Sequence, residues 1–321
     1  MKTKIRLLQI CLLLASVMSL TAQVAVDTLA VLVENNHAVV RVNNFPLLVL
    51  PEDGNQGVTD ALLSPFLRRG SNEVSVTLTP MLNEEGGRVS DRLFSLRISR
   101  QAEINSEDRV VQTDVEQTVN EGTEEPNHRT RFLAGEEEVH SLRSRGDGKM
   151  HHIRFDSLTG ALETELSANS SGTITIRMDG TGDHLPEALP WDGAKPVLDD
   201  SDRTALRALV SSLHAAFVAK DFNNIILMMD AKYNRMASAL GVLKSDLAVE
   251  EIRILTTITA AASFQFAPLD VGQLVFETFD GINLVRIKLP DGAAIRGEDA
   301  STTFEMELYA SKLDGTWVLV E

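Results

Sequence analysis

The sequence predicts two units: an all-β sandwich, jelly-roll-like, followed by an α+β unit with its helices first and an antiparallel sheet after them. Three observations carry this. From Thr28 to Met178 the apolar residues fall in short runs parted by turn residues, with no long helical period. From Asp200 the period becomes helical, and after Phe264 strand-like alternation returns. Between them, residues 186–198 hold Pro186, Pro190 and Pro196, the composition of a linker. A chain of 321 residues is also longer than one compact domain needs.

The first 22 residues read as a leader. Lys2, Lys4 and Arg6 precede an apolar run from Leu7 to Leu20 that closes on the small residues Ser19, Thr21 and Ala22. That is a secretory signal peptide, with the cut expected after Ala22 or after Ser19. The run is shorter than the ~20 residues a spanning helix needs, so the expectation is export without stable membrane insertion. Cys11 is the only cysteine, which leaves the exported part with none. A cysteine-free exported chain reads as bacterial, periplasmic or secreted from a Gram-negative cell. Asp and Glu number 46 against 30 Lys and Arg, a net charge of −16, which argues against a nucleic-acid partner.

In the first unit, residues 23–185, strands are expected at Thr28–Glu34, Ala38–Val42 and Phe45–Leu50. Asn35-Asn36-His37 and Asn43-Asn44 join them, because asparagine tolerates the left-handed backbone of a tight hairpin. Further strands are expected at Glu73–Thr79, Leu93–Ser99, Val110–Thr113, Thr130–Leu133, His151–Phe155, Leu162–Leu166 and Thr173–Met178. The acidic stretch 105–125 reads as an exposed strand and loop, and Glu136-Glu137-Glu138 as a solvated turn. Residues 64–76, with Gly70 and Asn72 at a turn and Val74 and Val76 facing a core, look like the turn-and-strand of jelly-roll domains attached to glycoside hydrolases. That likeness implies a structural role. Residues 23–185 hold no Trp and no Tyr, so a sugar platform there could only be phenylalanine.

In the second unit, residues 199–321, Asp200 or Ser201 caps a helix with Leu206, Val210, Leu213 and Phe217 on one face. A second helix runs over Phe222–Leu240 and ends at Gly241. Ser245 caps a third, whose buried side is Leu247, Ile252, Leu255 and Ile258. Strands follow at Phe264–Ala267, Gln273–Phe279, Asn283–Leu289, Thr303–Leu313 and Trp317–Glu321. Phe304, Met306 and Leu308 should form a dry face, with Glu305, Glu307 and Tyr309 on a wet one. Asp314-Gly315 makes the last turn. Trp191, inside the linker, should pack against one of the units.

The end of the opening helix, His214–Phe222 (HAAFVAKDF), and the closing hairpin Leu308–Glu321 (LYASKLDGTWVLVE) resemble the nuclear transport factor 2-like superfamily, also called the ketosteroid isomerase-like or cone fold, over about residues 200–321. The resemblance implies a curved sheet wrapped around a helix and an apolar pocket, with homodimerisation through the C-terminal sheet. Such pockets serve isomerases and hydrolases as well as non-catalytic binding modules, and fold does not choose between them.

The isomerase-type members use a tyrosine and carboxylates inside the pocket. Here the opening helix has no tyrosine, but Tyr233 lies on the second helix with Asp230 three residues before it, a spacing that can share a face. His214 sits beside the apolar face of the first helix. His214, Asp230 and Tyr233 are therefore the candidate binding residues of the cone pocket. The bland alternative makes Asp230 a helix terminator, Tyr233 packing and His214 a boundary residue bonded to backbone. His151-His152 are strand neighbours that point to opposite faces and cannot share an ion. No zinc, phosphate-loop or serine-elbow motif occurs. No catalytic set, metal or cofactor is expected. The reading is an exported envelope protein, non-catalytic, binding a protein partner or a small apolar ligand. The alternatives are a cone-superfamily isomerase or hydrolase acting on a small apolar substrate, and a glycan-binding accessory protein.

Overall fold

The structure, a computed structural model, describes residues 3–6, 24, 26–51, 56–81, 93–101, 135–144, 150–156, 160–166, 172–180 and 183–321. After a short strand β1 (Thr3–Arg6), the first half consists of β2 (Val26–Glu34), β3 (Asn36–Val42), β4 (Phe45–Leu50), β5 (Gln56–Leu62), β6 (Gly70–Pro80), β7 (Leu93–Gln101), β8 (Gly135–Ser144), β9 (Met150–Asp156), β10 (Gly160–Leu166) and β11 (Gly172–Gly180). These ten form two antiparallel sheets, ordered β10-β9-β8-β7-β2-β5 and β11-β6-β3-β4. The sheets face one another. Alternate residues Leu29, Val31 and Val33 of β2 share one core with Val40 and Val42 of β3, Val74 and Val76 of β6, and Phe94 and Leu96 of β7.

Several details differ from the sequence reading. Asn35 has the left-handed backbone expected of it, φ 52°, yet β2 and β3 lie in different sheets, so the residue turns the chain across the sandwich instead of closing a hairpin. Asn43 and Asn44, at φ 49° and 65°, do close the β3–β4 hairpin. Strand β5 was not expected, because Gln56, Thr59 and Asp60 interrupt its apolar pattern. Glu136–Glu138 lie inside β8, registered against Arg100, Ser99 and Ile98, and not in a turn. A ladder satisfies the backbone whatever the side chains, so three glutamates do not end a strand. The expected strands at 110–113 and 130–133 and the acidic stretch 105–125 lie outside the described residues.

The turn before β6 is built as read. Gly70 takes φ 81°, Val74 and Val76 are fully buried, and Asn72 donates to the carbonyls of Arg68 and Gly70. Its Oδ1 accepts from Arg68 N and from Asn43 Nδ2, which also reaches Phe66 O at 2.9 Å. Two buried asparagines thus satisfy backbone groups of the loop that leads into β6.

The second half opens with four helices: α1 (Asp200–Val218), α2 (Phe222–Met228), α3 (Asp230–Leu240) and α4 (Lys244–Ile258). Asp199, not Asp200 or Ser201, caps α1 by accepting from Asp202 N at 2.8 Å. The expected second helix is interrupted at Met229 into α2 and α3, and α3 ends where Gly241 adopts φ 63°. Ser245 falls within α4; Leu243 precedes that helix and makes no side-chain cap.

Strands β12 (Gln265–Phe266), β13 (Val275–Thr278), β14 (Val285–Leu289), β15 (Gly292–Ala293), β16 (Ile295–Glu298), β17 (Thr302–Met306), β18 (Leu308–Leu313) and β19 (Thr316–Leu319) follow. They make a sheet β1-β17-β16-β12 and a sheet β13-β14-β18-β19, with β15 on β14. The expected single strand Thr303–Leu313 is therefore two, parted at Glu307, and each belongs to a different sheet. The helices and both sheets share a core in which Phe217, Phe264, Phe266 and Phe304 pack ring against ring at 5.3–5.9 Å.

The halves are joined by an apolar seam. Trp191 is fully buried, with its ring 4.7 Å from Phe45 and 5.9 Å from Phe66. Tyr309, expected on a wet face, stacks 5.0 Å from Phe45 and is buried. Its strand is dry on both faces because the first half covers one of them. Ile282, Leu284 and Val320 join the same core, so this part of the C-terminal sheet is covered by the chain itself. Residues around the prolines are strapped to both sides. Arg69 N donates to Pro186 O at 2.8 Å, Arg68 pairs with Asp192 at 3.0 Å, and Asn283 N donates to Trp191 O at 2.9 Å.

Candidate functional site

Five polar side chains meet beneath this seam. Helix α3 supplies Lys232, Tyr233 and Arg235, α4 supplies Glu251, and the residue two beyond β19 supplies Glu321. All five are buried. Charged residues occupy inward positions of α3 because Met236, Ala237 and Leu240 bring that face against the core. Glu251 has the same cause: it falls one helical turn from both Leu247 and Leu255.

Glu321 lies between two cations, with Lys232 Nζ at 2.9 Å and Arg235 Nη2 at 2.5 Å. Arg235 also donates to Val320 O at 2.8 Å and, across the seam, to Pro65 O at 2.7 Å. Its guanidinium sits 4.8 Å over the Phe66 ring and 5.1 Å over Trp191, a stacking that a flat, weakly hydrated cation favours. Burial pushes the Glu321 carboxyl up, but Lys232 and Arg235 outweigh it and hold it below the usual carboxylate range. Glu251 goes the other way. Burial raises it above the usual range and the Glu321 charge adds to that, against the pull of Lys232 and of the Tyr233 hydroxyl. The two neighbouring carboxyls are thus shifted in opposite directions, the kind of split that acid–base chemistry exploits.

Space is what the cluster lacks. The crevice that reaches Glu321, lined by Leu47, Ala61, Leu62, Pro65, Phe66 and Met236, has a volume of about 20 Å³. That is room for about one water.

The three residues singled out from sequence occupy three settings. His214 is half-buried, its Nε2 2.8 Å from Ala267 O, at the border of the apolar face. Asp230 is 49 % exposed, ion-paired with Lys244 and accepting from Asn234 Nδ2 at 2.6 Å. Tyr233, one turn on, is 1 % exposed and packed in the core. Asp230 and Tyr233 therefore face apart, and the carboxyl beside the tyrosine is that of Glu251. Lys232, Arg235, Glu251 and Glu321 escaped sequence reasoning. The available signal was a charged residue at an apolar helical position, as at Glu251.

A second polar anchor holds the closing hairpin. Asp202, on the first turn of α1, accepts from Lys312 Nζ at 2.7 Å and from Trp317 Nε1 at 2.9 Å. Those two donors hold its carboxyl below the usual range. The turn between them uses Asp314 and Gly315 at φ 48° and 81°. Among the described residues no three His, Cys, Asp or Glu side chains converge as a metal site, and no helix is long and apolar enough to cross a membrane. Compared with known proteins, the chain matches no family model, no curated protein and no solved structure.

Proposed function

We propose that this chain is an exported, non-catalytic protein of a bacterial envelope whose two halves form one scaffold for a protein partner. In this reading residues 1–22 are removed, the first half is a jelly-roll-like sandwich, and the second is a cone-type unit of the nuclear transport factor 2-like kind. The observation that carries it is the closure around the polar cluster. Lys232, Tyr233, Glu251 and Glu321 are 1, 1, 2 and 6 % exposed, and the crevice that reaches Glu321 holds about one water. Groups so enclosed hold the halves together and have no room for a substrate. Phe217, Phe264, Phe266 and Phe304 pack ring against ring within the core of the second half, which favours a protein partner over a small enclosed molecule. Because the first half covers Tyr309 and Val320, the surfaces left to a partner are elsewhere.

A second reading, a cone-type isomerase or hydrolase, draws on one observation: a carboxyl that burial raises above the usual range beside a tyrosine, Glu251 with Tyr233. The two readings part in one experiment. The protein is produced with its own leader in a Gram-negative host, recovered from the periplasm and sequenced from its N-terminus. It is then crosslinked in its native envelope and assayed against small apolar esters, epoxides and enones. The proposal expects a chain beginning near residue 23, a discrete crosslinked complex and no turnover. Turnover lost in both Tyr233→Phe and Glu251→Gln would overturn it.

A further inference from the structure

We propose that the outer edge of β17 is a strand-accepting site, covered by Thr3–Arg6 in the full-length chain and opened to an extended, basic and apolar segment of a partner protein when the leader is removed. This rests on the export reading above. Among the described residues strand β1 is the terminal strand of its sheet and pairs in parallel with β17, Thr3 to Thr302, Lys4 to Thr303, Ile5 to Phe304 and Arg6 to Glu305. Without residues 1–22, β17 becomes the edge.

The direction of its backbone follows from one bond. Thr302 O accepts from Asp299 N at 2.9 Å, on the β16 side. Alternation then turns the N–H and C=O groups of Phe304 and Met306 toward β16 and those of Thr303 and Glu305 outward. An outward row of unpaired backbone groups is the template that strand addition uses. The edge already holds an extended segment in register, which is the geometry required.

The chemistry of the occupant follows from the two faces. Phe304 and Met306 are fully buried, so the residue seated beside Phe304 extends the core and should be apolar. Thr303 and Glu305 lie on the half-exposed face. Glu298, Asp299 and Glu305 put three carboxylates on this one hairpin. A basic residue in register with Glu305 is the charge match to that face. Lys4-Ile5-Arg6 has that pattern in that register. Loss of the three basic leader residues leaves the chain more acidic than −16, which steers a basic segment toward it.

The test uses the protein recovered from the periplasm, its N-terminus sequenced, with a peptide of residues 1–8 as the probe. Backbone amide exchange is read at Thr303 and Glu305 with and without peptide. The proposal expects both amides to become protected on titration, with affinity about fivefold weaker in Glu305→Lys, which keeps the backbone and reverses the charge. Glu305→Pro removes an outward donor while leaving the β16 ladder intact, and should weaken the peptide comparably. Amides that stay unprotected on a chain lacking residues 1–22 would overturn the proposal and leave the export reading standing. Amides protected before peptide is added would overturn it in favour of a second copy at the edge. A leader still attached would overturn the export reading and, with it, the opening of the edge; sequencing reads that outcome separately from exchange.

Discussion

Arg235 on α3 donates to the Pro65 carbonyl at 2.7 Å and to the Glu321 carboxylate at 2.5 Å, so one guanidinium ties the first half of the chain to the last residue of the second. Around it Phe66 and Trp191 supply the aromatic faces. The seam is consequently both apolar and charge-compensated, and each part can be tested.

Arg235→Met removes one of two cations beside a buried carboxylate and leaves the Pro65 carbonyl without that donor. We expect a loss of about 3–5 kcal/mol in denaturant unfolding. Arg235→Lys should recover little, because one ammonium cannot span both carbonyls and the carboxylate. Arg235→Met with Glu321→Gln should lose less than Arg235→Met alone, since the uncompensated charge is gone. A single-variant loss below about 1 kcal/mol would mean the carboxylate is reached by water.

Glu251 and Glu321 give opposite pH dependences. Glu321 is held below its ordinary value of 4.5, so its contribution is present above that value and is lost as pH falls through the lowered one. Glu251 is raised above 4.5, so its contribution is complete below that value and fades as pH rises through the raised one. Glu251→Gln should match the parent chain below the carboxyl's ordinary value of 4.5 and gain on it progressively as pH rises above that value. A difference that does not change with pH would contradict the raised titration of Glu251.

Trp191→Ala should cost about 3–5 kcal/mol, the range for emptying a large aromatic site. Trp191→Phe should cost much less. The indole Nε1 has no hydrogen-bond partner among the described residues, so phenylalanine gives up packing area but no bond. Urea unfolding of the two variants side by side measures the contrast.

Gly180 closes β11 opposite Gly70, and a Cβ there would lie 2.1 Å from Arg68 O and 2.8 Å from Asn72 Nδ2. Backbone must move to admit it, and the asparagine network with it. Gly180→Ala should cost about 1–3 kcal/mol and raise amide exchange at Arg68, which donates to Asn72. An unchanged melting point would place the loop elsewhere.

Much of the fold was legible because it rests on local periodicity. Leu206, Val210, Leu213 and Phe217 gave α1, and Gly241 gave the end of α3. Asn35 signals a turn but not its kind, because its left-handed backbone says nothing of which sheet the next strand joins. The burial of Tyr309 is hidden for a related reason: alternation reports one covered face, and the second cover comes from Phe45, far away in sequence. The buried cluster shows the limit most clearly. Glu251 stood on an apolar helical face and could have been found, whereas Lys232 and Arg235 make sense only once Glu321 is seen between them. Asp230, attractive by its spacing to Tyr233, turned outward to Lys244 because Tyr233 took the inward side of the turn.

The central claim is that the halves act as one scaffold through the Trp191–Arg235–Glu321 seam, and scanning calorimetry of the intact protein tests it most directly. The account predicts one cooperative transition, which separates into two in the combined Trp191→Ala, Arg235→Met variant. Two resolved transitions in the unaltered chain would contradict it.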